Sequence, residues 1–390
     1  MPALPRFDIA IVGAGPAGAR AAWRLAGAGA RVVMLDPSHP REKACGGGLT
    51  GRALDLVASA TSLARLPLVA IDRASFEDGT ATASIPIAPG ADGRPRLAVI
   101  ARRILDEALV AAATTAGATL LPLRVERIER EGGGWIVGSR AESVRADWLL
   151  GADGPASFVR RTVHRPFARR DLSIATGFYV PGYSSSGVSL AFEARPPGYL
   201  WSFPRHDHLA VGVCAQADDS SPAVLLPVVS RWIARHVGAD APLERYSWPI
   251  PSLGTEALGG EPPSGPEWML LGDAGGMVDP ITREGIYFAL AAGDAAADSL
   301  QRGRLAGREY EARIRDTIHP ELLRAAALKA RFFQPRFTAL LMEALVASGA
   351  IRRIMADLIA GVQPYHGLRR RLVRTGEVRL GIRALARLYR

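Results

Sequence analysis

The spacing of apolar residues switches between continuous runs, helical periods and strand alternation, and each switch marks an element. Asp8-Ile9-Ala10-Ile11-Val12 is a short apolar run that reads as a strand. Gly13-Ala14-Gly15-Pro16-Ala17-Gly18 interrupts it as a turn. Ala19 to Ala28 is rich in helix-forming alanine, Gly29 ends that helix, and Arg31 to Leu35 is a second strand. Pro37 to Thr50 reads as a loop running into the glycines Gly46, Gly47 and Gly48. Arg102 to Ala116 predicts a long helix closed by Gly117. Strands are predicted over Ala118 to Leu123 and Val125 to Glu129, with Gly132-Gly133-Gly134 as a hairpin turn. Trp135 to Val137 and Ser143 to Leu150 continue that small β-layer. Phe178 to Ala217 is strand-like and rich in Gly, Pro and aromatics, the pattern of an inserted antiparallel sheet. Gly259 to Pro266 reads as a linker, Trp268 to Leu271 as a strand, Gly272 to Arg283 as a loop and Gly285 to Leu300 as a helix. From Arg308 to Arg390 the pattern is helical with Arg-rich faces.

Composition narrows the class. The 390 residues are 48% hydrophobic, enough for two domains with a real core. The two cysteines, Cys45 and Cys214, exclude a disulfide framework and a Cys-rich metal site. They fit a reducing compartment, so the expected location is cytoplasmic. Met1 to Arg6 is too short and Pro-broken for a signal peptide. No apolar run reaches the ~18–20 residues that span a bilayer, so any membrane contact is expected to be peripheral. The net charge of +10 reads either as a preference for anionic partners or as plain solubility of an Arg-rich chain. Arg369, Arg370, Arg371, Arg374, Arg379, Arg383, Arg387 and Arg390 alternate with apolar residues. They form either a solvated helix face or an interfacial helix on anionic lipid. No nucleic-acid module accompanies the charge. His206-Asp207-His208 reads as a polar turn and not a metal site, Cys214 as core, and Arg160-Arg161 as a phosphate contact or a solvated helix start.

The first β-turn-α-β segment carries the chemistry. Gly13 permits the tight turn, Gly15 lets a pyrophosphate approach the backbone, and Gly18 lets helix and strand pack closely. The helix start offers free N–H groups to phosphates. Asp36 closes the second strand, where a carboxylate accepts from a ribose hydroxyl. Two later segments separate FAD from NAD. Gly151-Ala152-Asp153-Gly154 follows an apolar strand, and Gly272-Asp273 ends another before a helix, where Asp273 is placed for a ribityl hydroxyl.

These motifs, in this order, resemble the flavoprotein hydroxylase superfamily with its p-hydroxybenzoate-hydroxylase-like fold. Lys43-Ala44-Cys45-Gly46-Gly47-Gly48-Leu49, Tyr199-Leu200-Trp201-Ser202-Phe203-Pro204 and Pro280-Ile281-Thr282-Arg283-Glu284-Gly285-Ile286 resemble three signatures of its geranylgeranyl reductase family. The resemblance implies an α/β fold. A glutathione-reductase-type FAD domain would be assembled from residues 1–75, 97–170 and 265–302. An inserted antiparallel substrate domain would comprise 76–96 and 171–264, followed by a helical region, 303–390. It further implies FAD contacts from Gly13, Gly15, Ala17, Gly18, Asp36, Cys45, Gly46, Gly48, Arg102, Val125, Asp153, Asp273, Gly285 and Ile286. Tyr199, Trp201 and Phe203 would line a tunnel for an isoprenoid lipid, and Cys45 would act near the flavin. The implied reaction is hydrogenation of polyprenyl C=C bonds. The alternative is a monooxygenase or halogenase of the same fold. No second fingerprint is present, so NAD(P)H or another carrier would deliver electrons transiently. One position departs from the family: Arg283 stands where glycine is usual, so the loop either avoids positive φ or is strained.

Overall fold

The computed structural model describes residues 4–303 and 305–377, with the side chain of Ala194 excepted. Its first sheet is built on parallel pairing. Arg6–Val12 lies between Val32–Leu35 and Ser143–Gly151, parallel to both. Trp268–Leu270 and Thr119–Leu121 extend the sheet on either side, again in parallel. Ser264–Gly265 adds a short antiparallel edge. Parallel neighbours need long crossovers, and the helices Pro16–Gly27 and Arg102–Thr115 lie in two of them. The strands are buried on both faces, which is why they read as apolar runs without alternation. Ile9, Ile11 and Met34 face the helices Pro16–Gly27, Arg102–Thr115 and Ile286–Leu300. Ala10, Val12, Val33 and Leu35 face the hairpin Arg127–Glu131/Gly134–Gly138 through Ile128, Trp135 and Val137.

The second sheet has the strand order Glu244–Pro251, Leu172–Pro181, His208–Gln216, Pro197–Pro204, Val188–Ala194, Arg73–Glu77, Thr82–Pro86. All neighbours are antiparallel except Val188–Ala194 with Arg73–Glu77. One face takes the helix Pro222–His236 through Leu225, Val229 and Ile233. The other face turns Trp201, Tyr199 and Phe203 toward Ala44 of the glycine-rich loop. Helices Ala306–Thr317, His319–Phe332, Pro335–Ala347, Gly349–Ile359 and Leu368–Val373 follow. Met342, Leu345 and Ile351 pack against Phe76, Ile85 and Ile87. Arg379, Arg383, Arg387 and Arg390 of the basic tail lie outside the described residues. Among the described residues no helix is long and apolar enough to cross a membrane.

Two local expectations change. The predicted linker Gly259 to Pro266 overlaps the helix Thr255–Gly260 and the strand Ser264–Gly265, because buried Leu258 anchors a segment that its glycines disguise. The strand expected from Val125 begins at Arg127.

Candidate active site

A cavity of about 630 Å³ lies between the two sheets and the C-terminal helices. At one end it is lined by Pro16, Lys43, Cys45, Gly46, Gly47, Gly48, Arg102, Asp273, Gly285 and Ile286. Helices Pro16–Gly27 and Ile286–Leu300 both start there, with neither a side-chain cap nor an acid in the first turn. Two uncapped helix starts leave N–H groups and partial positive charge facing the same space. The turn ahead of Pro16 is tightly constrained. A Cβ on Gly13, at φ 99°, would lie 2.4 Å from the Ala152 carbonyl oxygen, and one on Gly18 would lie 2.0 Å from the Gly13 carbonyl oxygen. By contrast, a Cβ on Gly15 would meet nothing within 4 Å, so that face of the turn is open.

The sequence-predicted residues divide between cavity and support. Asp36 is buried and accepts from the Ala14 amide at 2.9 Å and the Ser38 amide at 2.9 Å, shaping the turn. Its own amide donates to Leu121, which sets the following loop, with Val125, beside it. Val125 is half-buried among apolar neighbours and Ala17 is buried; neither lines the cavity. Asp273 accepts from Lys43 Nζ at 2.8 Å. Arg102 makes a bidentate pair with Asp106 at 2.9 and 2.8 Å.

Asp153 is directed elsewhere. Its carboxylate accepts from Ser157 Oγ at 2.5 Å and from the amides of Phe158 and Val159 at 2.6 and 3.2 Å, and burial pushes its pKa up. It therefore satisfies the first free amides of the helix Phe158–Val163, beside the N-cap Ser157, whose Oγ accepts from the Arg160 amide at 2.8 Å. Arg160 matches neither reading made from the sequence. It is buried, pairs with Glu261, and lies 3.7 Å from the Phe167 ring centroid. One of two adjacent arginines on a short helix gave no sign that a carboxylate 101 residues away would meet it.

Residues 42–48 are pinned by groups that carried no sequence signal. Glu42 accepts from the amides of Arg102 and Arg103, both at 3.1 Å, and from Arg205 at 2.7 Å. Arg205, wholly buried, also donates to the Cys45 carbonyl at 2.7 Å and lies 5.0 Å from the Tyr179 ring centroid. Tyr179 donates to the Lys43 carbonyl at 2.9 Å; burial raises its phenol, which stays a neutral donor. Cys45 is half-buried, and its Sγ accepts from the Gly47 amide at 3.3 Å. Cys214 is core, as expected, and burial raises its thiol. A Cβ on Gly46 or Gly48 would come 2.6 or 3.0 Å from the Phe203 ring. His208 bonds Asp207 at 2.6 Å in the turn, and no group of metal ligands exists among the described residues.

Tyr199, Trp201 and Phe203 all line the cavity, as their alternation predicts for one face of a strand. Tyr199 donates to the Thr282 carbonyl at 2.8 Å. Beyond these rings the lining becomes apolar, with Phe76, Phe192, Phe332, Leu341, Met355 and Leu358. Arg283 adopts φ 61°, the strained alternative, and donates to Ser252 Oγ at 2.5 Å and to the Pro280 carbonyl.

Residues 6–231 match the FAD binding domain family. The chain is 30% identical over 330 residues to digeranylgeranylglycerophospholipid reductase 2 of Methanopyrus kandleri, covering 76% of this chain and 78% of that one. The chain belongs to the geranylgeranyl reductase family of FAD-dependent oxidoreductases. The chain is also 32% identical over 330 residues to the menaquinone reductase of Mycolicibacterium smegmatis, 76% of this chain and 77% of that one. The geranylgeranyl reductase fold is seen again in a geranylgeranyl bacteriochlorophyll reductase-like protein of Thermoplasma acidophilum. That structure has a TM-score of 0.78 and 21% identity, and the match covers 95% of this chain and all of that one.

Proposed function

We propose that this reductase hydrogenates isolated C=C bonds in the polyprenyl chain of a lipid or quinone. The observation that carries the reading is the continuity of one cavity, from Cys45–Gly48 and two uncapped helix starts, past Tyr199, Trp201 and Phe203, into the apolar space under the C-terminal helices. Related reductases named for a digeranylgeranyl phospholipid and for menaquinone support it, since both ligands carry polyprenyl chains.

The polar end fits FAD. The open face at Gly15 and the bare N-terminus of Pro16–Gly27 suit a diphosphate. Gly46, Gly48, Asp273, Gly285 and Ile286 would hold the ribityl and ring portions, with Arg102 alongside. Asp36 and the loop at Val125 would flank the adenosine. When bound and reduced, FAD would supply a hydride. NAD(P)H or another carrier would reload it.

The protein's own residues supply the rest. An isolated alkene is a poor hydride acceptor, so the second carbon needs a proton as the first receives hydride. Cys45 is the thiol on the cavity wall and would hold that proton or order a water that does. Tyr199, Trp201 and Phe203 orient the chain and exclude water. The test is anaerobic incubation of the reduced holoenzyme with polyprenyl lipids, followed by mass analysis. Gain of two hydrogens per bond is expected. No reoxidation of flavin by any polyprenyl lipid, or gain of oxygen instead, would overturn it.

A further inference from the structure

We propose that the far mouth of the cavity docks on an anionic bilayer, so that a lipid chain slides from the membrane into the cavity. This rests on the reading that the cavity takes a lipid chain.

Four residues of the C-terminal helices both line the cavity and face solvent, and they locate its far mouth: Leu328, Arg331, Arg369 and Leu372. They sit on the helices His319–Phe332 and Leu368–Val373. The turn leading into Leu368–Val373 is tied to the helix His319–Phe332 by Glu321, which accepts from the Tyr365 amide at 2.7 Å. Around this opening the surface is unusually apolar. Leu328 is 43% exposed, Leu372 40%, and Val373 beside them 74%. Single exposed leucines are ordinary, but a cluster at the opening of an apolar cavity marks a contact surface.

The charge around the cluster names the partner. Arg371 turns inward to Asp357 at 2.6 Å. Arg331, Arg369, Arg370 and Arg374 have no ion-pair partner among the described residues. Between residues 361 and 377 the only acid is Glu377. Exposed apolar side chains set among unpaired arginines suit the interface of an anionic membrane, where the apolar groups enter the acyl boundary and the guanidiniums meet phosphates. A second copy of the chain suits the patch poorly. A two-fold contact would set these arginines against their own copies.

The test uses FAD-loaded protein and sedimentation with vesicles of phosphatidylcholine alone or mixed with phosphatidylglycerol. Binding is expected with the mixed vesicles, weakened by salt, and much lower with phosphatidylcholine alone. Arg370→Gln and Arg374→Gln should each weaken it roughly five-fold. Val373→Asp should weaken it further. None of these three lines the cavity, so reduction of a detergent-dispersed polyprenyl substrate should be unchanged. Equal binding to both vesicle types, no binding to either, or unaltered binding by the variants would overturn the docking. So would a concentration-dependent dimer that Val373→Asp dissociates, which would identify a second copy as the occupant. Reduction by the parent protein without binding to either vesicle type refutes only the docking. Vesicle binding without reduction refutes only the proposed reaction.

Discussion

The guanidinium of Arg205 donates to the carbonyl oxygen of Cys45, 160 residues away, at 2.7 Å. Through Glu42, at 2.7 Å, the same group reaches the start of the helix Arg102–Thr115. One buried cation thus sets the glycine-rich loop between the two sheets. Arg205→Met should destabilise the protein by about 3 kcal/mol, because it leaves buried acceptors unpaired. Arg205→Lys should recover only part, since an ammonium lacks the planar fork that serves two acceptors. Thermal melts and FAD retention after gel filtration check both. A methionine variant that melts and holds FAD like the parent protein would show the bridge to be dispensable.

Phe203 closes over Gly46, and the contact leaves no room for a methyl group. Gly46→Ala should destabilise by about 1–3 kcal/mol through overpacking. Adding Phe203→Leu should restore part of the loss. Denaturant unfolding of both single variants and the double variant measures the coupling; strict additivity would mean the loop moves aside.

Cys45 is expected to act in turnover and not in folding. Cys45→Ala should keep FAD content and the melting temperature while lowering the rate of flavin reoxidation by a polyprenyl substrate by about a hundred-fold, the low end for loss of a proton donor. Cys45→Ser should fall between the two. Equal reoxidation rates for all three proteins would remove Cys45 from the mechanism.

Arg283 holds φ 61°, a conformation that glycine adopts freely. Arg283→Ala keeps the strain and loses the bonds to Ser252 Oγ and the Pro280 carbonyl, whereas Arg283→Gly loses the same bonds but sheds the strain. The glycine variant should therefore be the more stable of the two by about 1 kcal/mol. Equal unfolding free energies would show that the loop relaxes on losing the side chain.

Lys329 donates to the Ser252 carbonyl at 2.5 Å, and burial lowers its ammonium from the ordinary 10.5 to about 8. The unfolded chain then binds this proton more tightly than the folded one between those values. Its contribution to stability must rise with pH from about 8 to 10.5 and be level outside that window. Lys329→Met should flatten this part of the stability profile relative to the parent. Parallel profiles for the two proteins across that range would refute the assignment.

Local pattern alone made much of the molecule legible. The strand Arg6–Val12, the turn at Gly13 to Gly18 and the following helix are written within a few residues of one another, because backbone sterics and helix starts act locally. The same holds for the alternation of Tyr199, Trp201 and Phe203, since strand period places them on one face whatever the sheet packs against. What the tertiary structure alone decided are meetings of distant residues. Asp153 turned to its own helix, Arg160 found Glu261, and Arg205 found Glu42 and Cys45. A buried charge looks in sequence like any surface charge, since its environment is supplied by segments tens to hundreds of residues away. The continuity of the cavity from the glycine-rich loop to Leu372 is of the same kind. It exists only because two sheets and a set of helices close around a space that no single segment encodes.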